Sequence, residues 1–130
     1  MNQPKVGQFC WNELATNDVG KAKDFYAKVL GWEFKEIQSD DMTYTLIRSS
    51  DMECGGIWQI PTAQKEHIPP HWMAYILVDD VQETLEKAQQ HGATEVKGVT
   101  AAGDMGQFAI IMDPTGAHIA FWQPNSNVAE

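Results

Sequence analysis

Apolar and polar residues alternate along residues 6–15, Val-Gly-Gln-Phe-Cys-Trp-Asn-Glu-Leu-Ala. That period of two predicts a β-strand with Trp11, Glu13 and Ala15 on one face and Cys10, Asn12 and Leu14 on the other. The period then lengthens: Val19, Ala22, Phe25, Tyr26, Val29 and Leu30 recur at helical spacing. Thr16 or Asn17 can cap this helix, expected over 18–30, and Gly31 supplies its terminating residue. Three short strands follow, at 32–37, 43–48 and 55–60, separated by the turn-forming clusters Ser39-Asp40-Asp41 and Ser49-Ser50-Asp51. The result is one βαβββ unit.

The pattern then repeats. Asn17-Asp18-Val19 returns as Asp79-Asp80-Val81, 62 positions later, and the helix-stopping Gly31 returns as Gly92 after 61. Residues 72–78 predict a strand, and Asp80 with Glu83 forms an acidic capping pair. Val81, Leu85 and Ala88 make the buried stripe of a helix over 80–91, and strands at 93–99, 107–112 and 118–123 close the unit. In Asp113-Pro114-Thr115-Gly116, proline presets φ at the second position of a turn. The expected organisation is α+β: one domain over 1–130, with a first module at about 6–60, a polar, proline-bounded connector at 61–70, and a second module at about 71–123. The tail beyond Gln123 is expected to fray.

Composition narrows the partners. Nine Lys and Arg against 18 Asp and Glu give a net charge of −9, which argues against nucleic acid or an anionic membrane and suits a cationic ligand or plain solubility. No stretch approaches the roughly 20 apolar residues of a membrane span. The polar start Met1-Asn2-Gln3-Pro4-Lys5 lacks the apolar core of a signal peptide, so a cytoplasmic protein is expected. Cys10 and Cys54, with no CxxC spacing, read as free thiols.

Asp18-x6-Phe25-Tyr26-x3-Leu30-Gly31-Trp32, Val78-Asp79-Asp80-Val81 and Asp113-Pro114-Thr115-Gly116 together resemble the vicinal oxygen chelate superfamily, which includes glyoxalase I, extradiol dioxygenases and bleomycin-resistance proteins. The resemblance covers about residues 6–123. It implies two βαβββ modules related by a pseudo-twofold, with curved mixed sheets around a cleft, and single-domain members that pair as homodimers.

Members of that superfamily commonly hold a divalent metal on the first and last strands of each module. Carried over residue by residue, the four ligand positions fall on Trp11, Trp58, Met73 and Ala120. Indole, thioether and methyl groups offer no good donor to a hard or borderline divalent ion, so no metal and no other cofactor is expected. The resemblance is then to the metal-free binding branch, with an apolar, aromatic-walled cleft. Trp11, Glu13, Trp58, Met73, Tyr75, Ala120 and Trp122 are its expected lining, and an aromatic or cationic small molecule its expected ligand. Arg48 and Phe108 lie in strand registers that reach the same surface.

Two other readings stay open. Glu13, in an apolar cleft, could serve as a general base of a lyase, isomerase or dioxygenase-like enzyme, or Glu13, His71 and His118 could form a displaced metal triad. Alternatively the pocket is filled by its own side chains and the domain is structural or partner-binding.

Overall fold

The computed structural model describes residues 4–39, 42–64 and 66–125. Asp40 and Asp41 of the expected turn, the first three residues of the polar start and the tail beyond Asn125 lie outside the described residues. The elements run β1 (Phe9–Thr16), α1 (Val19–Leu30), β2 (Glu33–Ser39), β3 (Met42–Ser49), β4 (Met52–Gln59), a 3₁₀ turn (Thr62–Gln64), β5 (His71–Leu77), α2 (Val81–Gln90), β6 (Thr94–Ala102), β7 (Gly106–Met112) and β8 (His118–Pro124). Each half therefore carries the same ordered set, strand, helix and three strands, as the repeat requires.

Contacts divide the chain into two compact units: Trp11–Met73, and the described residues before Trp11 together with those after Met73. In the first unit the strand order is β2-β3-β4-β1. The β2/β3 and β3/β4 pairs are antiparallel and β4/β1 is parallel. In the second unit the order is β5-β8-β7-β6, with β5/β8 parallel and the rest antiparallel. The repeat counts residues 6–10 with the first module, but the backbone sets them with the second unit. Gly7 N–H donates to Leu77 O at 2.8 Å, and Leu77 N–H donates to Gln8 O at 2.9 Å.

Local chemistry explains the helix ends. Asp18, not Thr16 or Asn17, caps α1: its Oδ1 accepts from Lys21 N–H at 2.9 Å, a reach those earlier side chains lack. Asp80 repeats the arrangement on Glu83 N–H at 3.0 Å. Gly31 ends α1 in the left-handed region at φ 73°, its N–H donating to Ala27 O at 3.0 Å. Each unit also ties its last strand to the start of its helix through a glutamine. Gln59 Oε1 accepts from Val19 N–H at 3.3 Å, and Gln123 Oε1 accepts from Val81 N–H at 2.8 Å.

Two turns are chemically set. Ser50 and Asp51 both take positive φ, 52° and 68°, between paired Ser49 and Met52. That is the two-residue hairpin geometry whose twist matches the strands it joins. Asp113 Oδ1 accepts from Thr115 N–H, Thr115 Oγ1–H and Ala117 N–H at 2.8, 2.7 and 3.1 Å. Those bonds hold its carboxyl below the usual carboxylate range.

The two helices are not equally buried. In the second unit Val81 and Leu85 of α2 join Val78, Ala109 and Ile111 in a core flanked by Ile119 and Phe121. In the first unit the core is Leu14, Ile47 and Ile57, with Val19, Ala22, Tyr26, Trp32 and Phe34 packed against it. No residue of α1 is buried: Phe25, Val29 and Leu30 are 54, 57 and 53 % exposed. Lys23 of α1 meets Glu36 of β2 at 3.0 Å, a partly exposed pair of small energetic weight.

Candidate functional site

Strand alternation sorts the side chains of the first unit. Leu14, Ile47 and Ile57 face the α1 side, so Glu13, Leu46, Arg48, Gly56 and Trp58 face the other, inner side. Register places Glu13, Gly56 and Leu46 in one cross-strand row, with Ala15 beside Trp58. On this face a hydrogen-bonded chain joins three strand residues. Trp11 Nε1–H donates to Tyr44 Oη at 3.0 Å, and Tyr44 Oη–H donates to Glu13 Oε2 at 2.7 Å.

The direction of that chain is fixed by chemistry. Indole nitrogen can only donate, so the Tyr44 oxygen accepts from it and its one proton goes to the carboxylate. All three residues are half-buried. Burial and then the negative charge of Glu13 push the Tyr44 phenol far above its ordinary value, with the Trp11 bond pulling the other way and the hydrogen bond to Glu13 adding to the rise. The phenol is therefore a fixed donor at any working pH.

Tyr44 is the residue that sequence reading missed. Its ring lies across Gly56, where a Cβ would fall on the hydroxyl. The available signal was Gly55-Gly56 inside a strand, since glycine there marks close approach of another group. Gly55 serves the same purpose toward the backbone, as its Cβ would lie 2.6 Å from Asn12 O.

In the second unit the expected residues also share one face. Ile119, Phe121, Ala109 and Ile111 pack toward α2, which turns Ala120, Trp122, Phe108 and Tyr75 the other way. Tyr75 and Ala120 are cross-strand partners, both buried, and Tyr75 meets Phe108 edge-on with centroids 6.4 Å apart. Met73 is buried too, at 7 % exposure. Two concavities are lined by other residues. One of about 410 Å³ is lined by Asp79, Gln107, Gln123 and Asn125, and an open groove of about 320 Å³ runs beside α1 at Leu14, Ala22, Phe25 and Tyr26.

The metal positions of the family fail a test on donor chemistry. The Trp11 indole nitrogen is spent as a donor to Tyr44. Trp58, Met73 and Ala120 bring an indole, a thioether and a methyl group. Among the described residues, no three His, Cys, Asp or Glu side chains lie together as a metal-holding group. Of the residues weighed as a displaced triad, Glu13 and His71 belong to the first unit and His118 to the second. His71 Nδ1 lies 2.7 Å from Pro69 O, and His118 is an exposed strand-end residue opposite Met112. The side chains at the four family positions, Trp11, Trp58, Met73 and Ala120, do not fit a divalent ion.

The fold and these strands define a glyoxalase-type domain. The model of the Glyoxalase/Bleomycin resistance protein/Dioxygenase superfamily matches residues 6–121, and the chain belongs to that superfamily. CFP32 of Mycobacterium tuberculosis, whose name proposes a glyoxylase, is 31 % identical over 120 residues, 91 % of this chain and 46 % of that protein. The anthracycline biosynthesis protein DnrV of Streptomyces peucetius is 28 % identical over 85 % of this chain and 39 % of its own length. The chain thus spans less than half the length of these relatives. Among solved structures, methylmalonyl-CoA epimerase from Mycobacterium tuberculosis superposes with a TM-score of 0.66 at 16 % identity, covering 99 % of this chain and 95 % of the epimerase. Homoprotocatechuate 2,3-dioxygenase from Brevibacterium fuscum gives 0.63 at 18 % identity, over 95 % of this chain and 38 % of the dioxygenase. At such identities these likenesses speak for the fold alone.

Proposed function

We propose that this chain is a metal-independent small-molecule-binding protein whose ligand, a planar or cationic organic molecule, seats on the inner face carrying Trp11, Glu13, Tyr44 and Trp58. The observation that carries this reading is the Trp11–Tyr44–Glu13 chain. It holds a carboxylate as an acceptor on the strand face that also carries Trp11 and Trp58, and a carboxylate with indoles suits a cation over a ring. The same chain weighs against Glu13 as a general base, because a carboxylate already accepting a phenolic proton is a weaker base than a bare one. The names of the relatives, a glyoxylase and an anthracycline biosynthesis protein, both concern small organic molecules.

A homodimer belongs to this reading, supported by relatives about twice as long as the span they share with this chain. Light scattering at twice the chain mass checks it. The ligand class is tested by titrating aromatic cations, neutral aromatics and small carboxylic acids against tryptophan fluorescence. Saturable quenching by the cations, weakened by Trp11→Ala and Glu13→Gln, is the expected result. Preference for the acids, or no saturable binding, overturns the reading.

A further inference from the structure

Among the described residues, Arg48 Nε is a buried side-chain polar atom without a hydrogen-bond partner. A shielded N–H of a permanently charged group is expensive to leave unmet, so such atoms call for an explanation. The backbone register sharpens the question. Arg48 is the cross-strand partner of Glu33 on β2 and of Glu53 on β4, two exposed carboxylates within easy reach of an arginine. It forms an ion pair with neither; those seen among the described residues are Lys23–Glu36 and Lys28–Asp24. Its Nε lies out of solvent all the same.

Its direction follows from the strand. Ile47 is 1 % exposed in the core beneath α1, so Arg48, the next residue, points to the inner face that carries Glu13 and Tyr44. Glu13 lies in one row with Gly56 and Leu46, and Arg48 is two residues beyond Leu46 along β3. Two strand spacings across and two residues along put their Cα atoms roughly 12 Å apart.

We infer that Arg48 is an anion-binding subsite on the same face as Glu13, and that the ligand is bipolar: a planar molecule with a cationic group for Glu13 and a carboxylate or phosphate for Arg48. A planar guanidinium suits either anion, because its donors form a fork matched to two oxygens. This deepens the function proposed above and rests on it for the cationic end alone. The net charge of −9 repels anions at long range, so a ligand bearing both signs is favoured over a simple acid.

The test compares benzylamine, 4-methylbenzoate and 4-(aminomethyl)benzoate, which share a ring and differ in charge, by calorimetry on the full chain. 4-(Aminomethyl)benzoate is expected to bind at least tenfold more tightly than benzylamine. Arg48→Gln should erase that difference while leaving benzylamine unchanged, and Arg48→Lys should restore part of it. Thermal melts of both variants separate lost binding from lost folding. Inorganic phosphate added as a competitor should weaken the bipolar ligand and not benzylamine.

Equal affinity of the bipolar compound and benzylamine, or an Arg48→Gln variant that folds and keeps the preference, overturns the subsite and leaves the cation site standing. Arg48-dependent binding of 4-methylbenzoate without any binding of benzylamine supports the subsite and overturns the cation reading. No saturable binding by any of the three overturns both.

Discussion

The hydroxyl end of the Tyr44 ring lies over Gly56, so that a side chain at position 56 would clash with the phenol oxygen bridging Trp11 and Glu13. Gly56→Ala must therefore displace Tyr44. Overpacking of this kind costs about 1–3 kcal/mol and should lower the urea midpoint correspondingly. In a Tyr44→Ala background the same substitution should cost almost nothing. A Gly56→Ala midpoint equal to that of the parent would show that the ring does not need the space.

Tyr44 also sets an alkaline limit on stability. Its folded value is raised above the ordinary 10.0, first by burial and then by Glu13, so the folded state prefers the protonated phenol. The stabilisation is complete below about pH 10 and is lost as pH rises from there toward the folded value. Cys10, raised from 9.0 by burial, adds a contribution of the same sign that starts to fall near pH 9. Unfolding free energy should decline above these values, and Tyr44→Phe should flatten the part above pH 10. Ultraviolet titration should show a tyrosine that ionises only as the chain unfolds and is missing from Tyr44→Phe; normal titration of every tyrosine near pH 10 would refute the effect.

The helices should respond differently to truncation. Leu85→Ala removes a side chain only 3 % exposed in the second-unit core and should cost about 2–5 kcal/mol. Val29→Ala, at 57 % exposure on α1, should stay within about 1 kcal/mol. Chemical denaturation of both variants decides it, and a large loss at Val29 would mean that this face is covered in solution.

Glyoxalase activity should be absent with zinc, nickel, iron or manganese supplied, because Trp11, Trp58, Met73 and Ala120 bring no donor suited to such an ion. Metal analysis of untagged protein should find no stoichiometric transition metal. One ion per chain, lost on His71→Ala or His118→Ala, would restore the displaced triad.

Much of this architecture is legible in the chain itself. Both helices, their glycine stops and every strand follow from hydrophobic period and turn chemistry, which are local properties fixed by a few neighbouring residues. The faces of β1 follow as well: Leu14 goes into the core while Glu13 stays with Trp11 on the other side, because a strand must alternate. The superfamily was equally readable, since its motif residues mark those same helix and turn positions.

The site was legible only in part, for a physical reason. Trp11 and Glu13 could be placed on one face, but the phenol that links them arrives from β3, 31 residues beyond Glu13. Nothing local to either residue encodes that partner. Burial was likewise decided by packing: α1 and α2 carry similar apolar stripes, yet only α2 buries residues of its own. Residues 6–10 were counted with the first repeat, while their hydrogen bonds to Leu77 set them with the second unit. The sequence alone determined the elements and their order. The tertiary structure decided which distant side chains meet, because strand pairing and register are long-range and a residue's partner depends on the whole sheet.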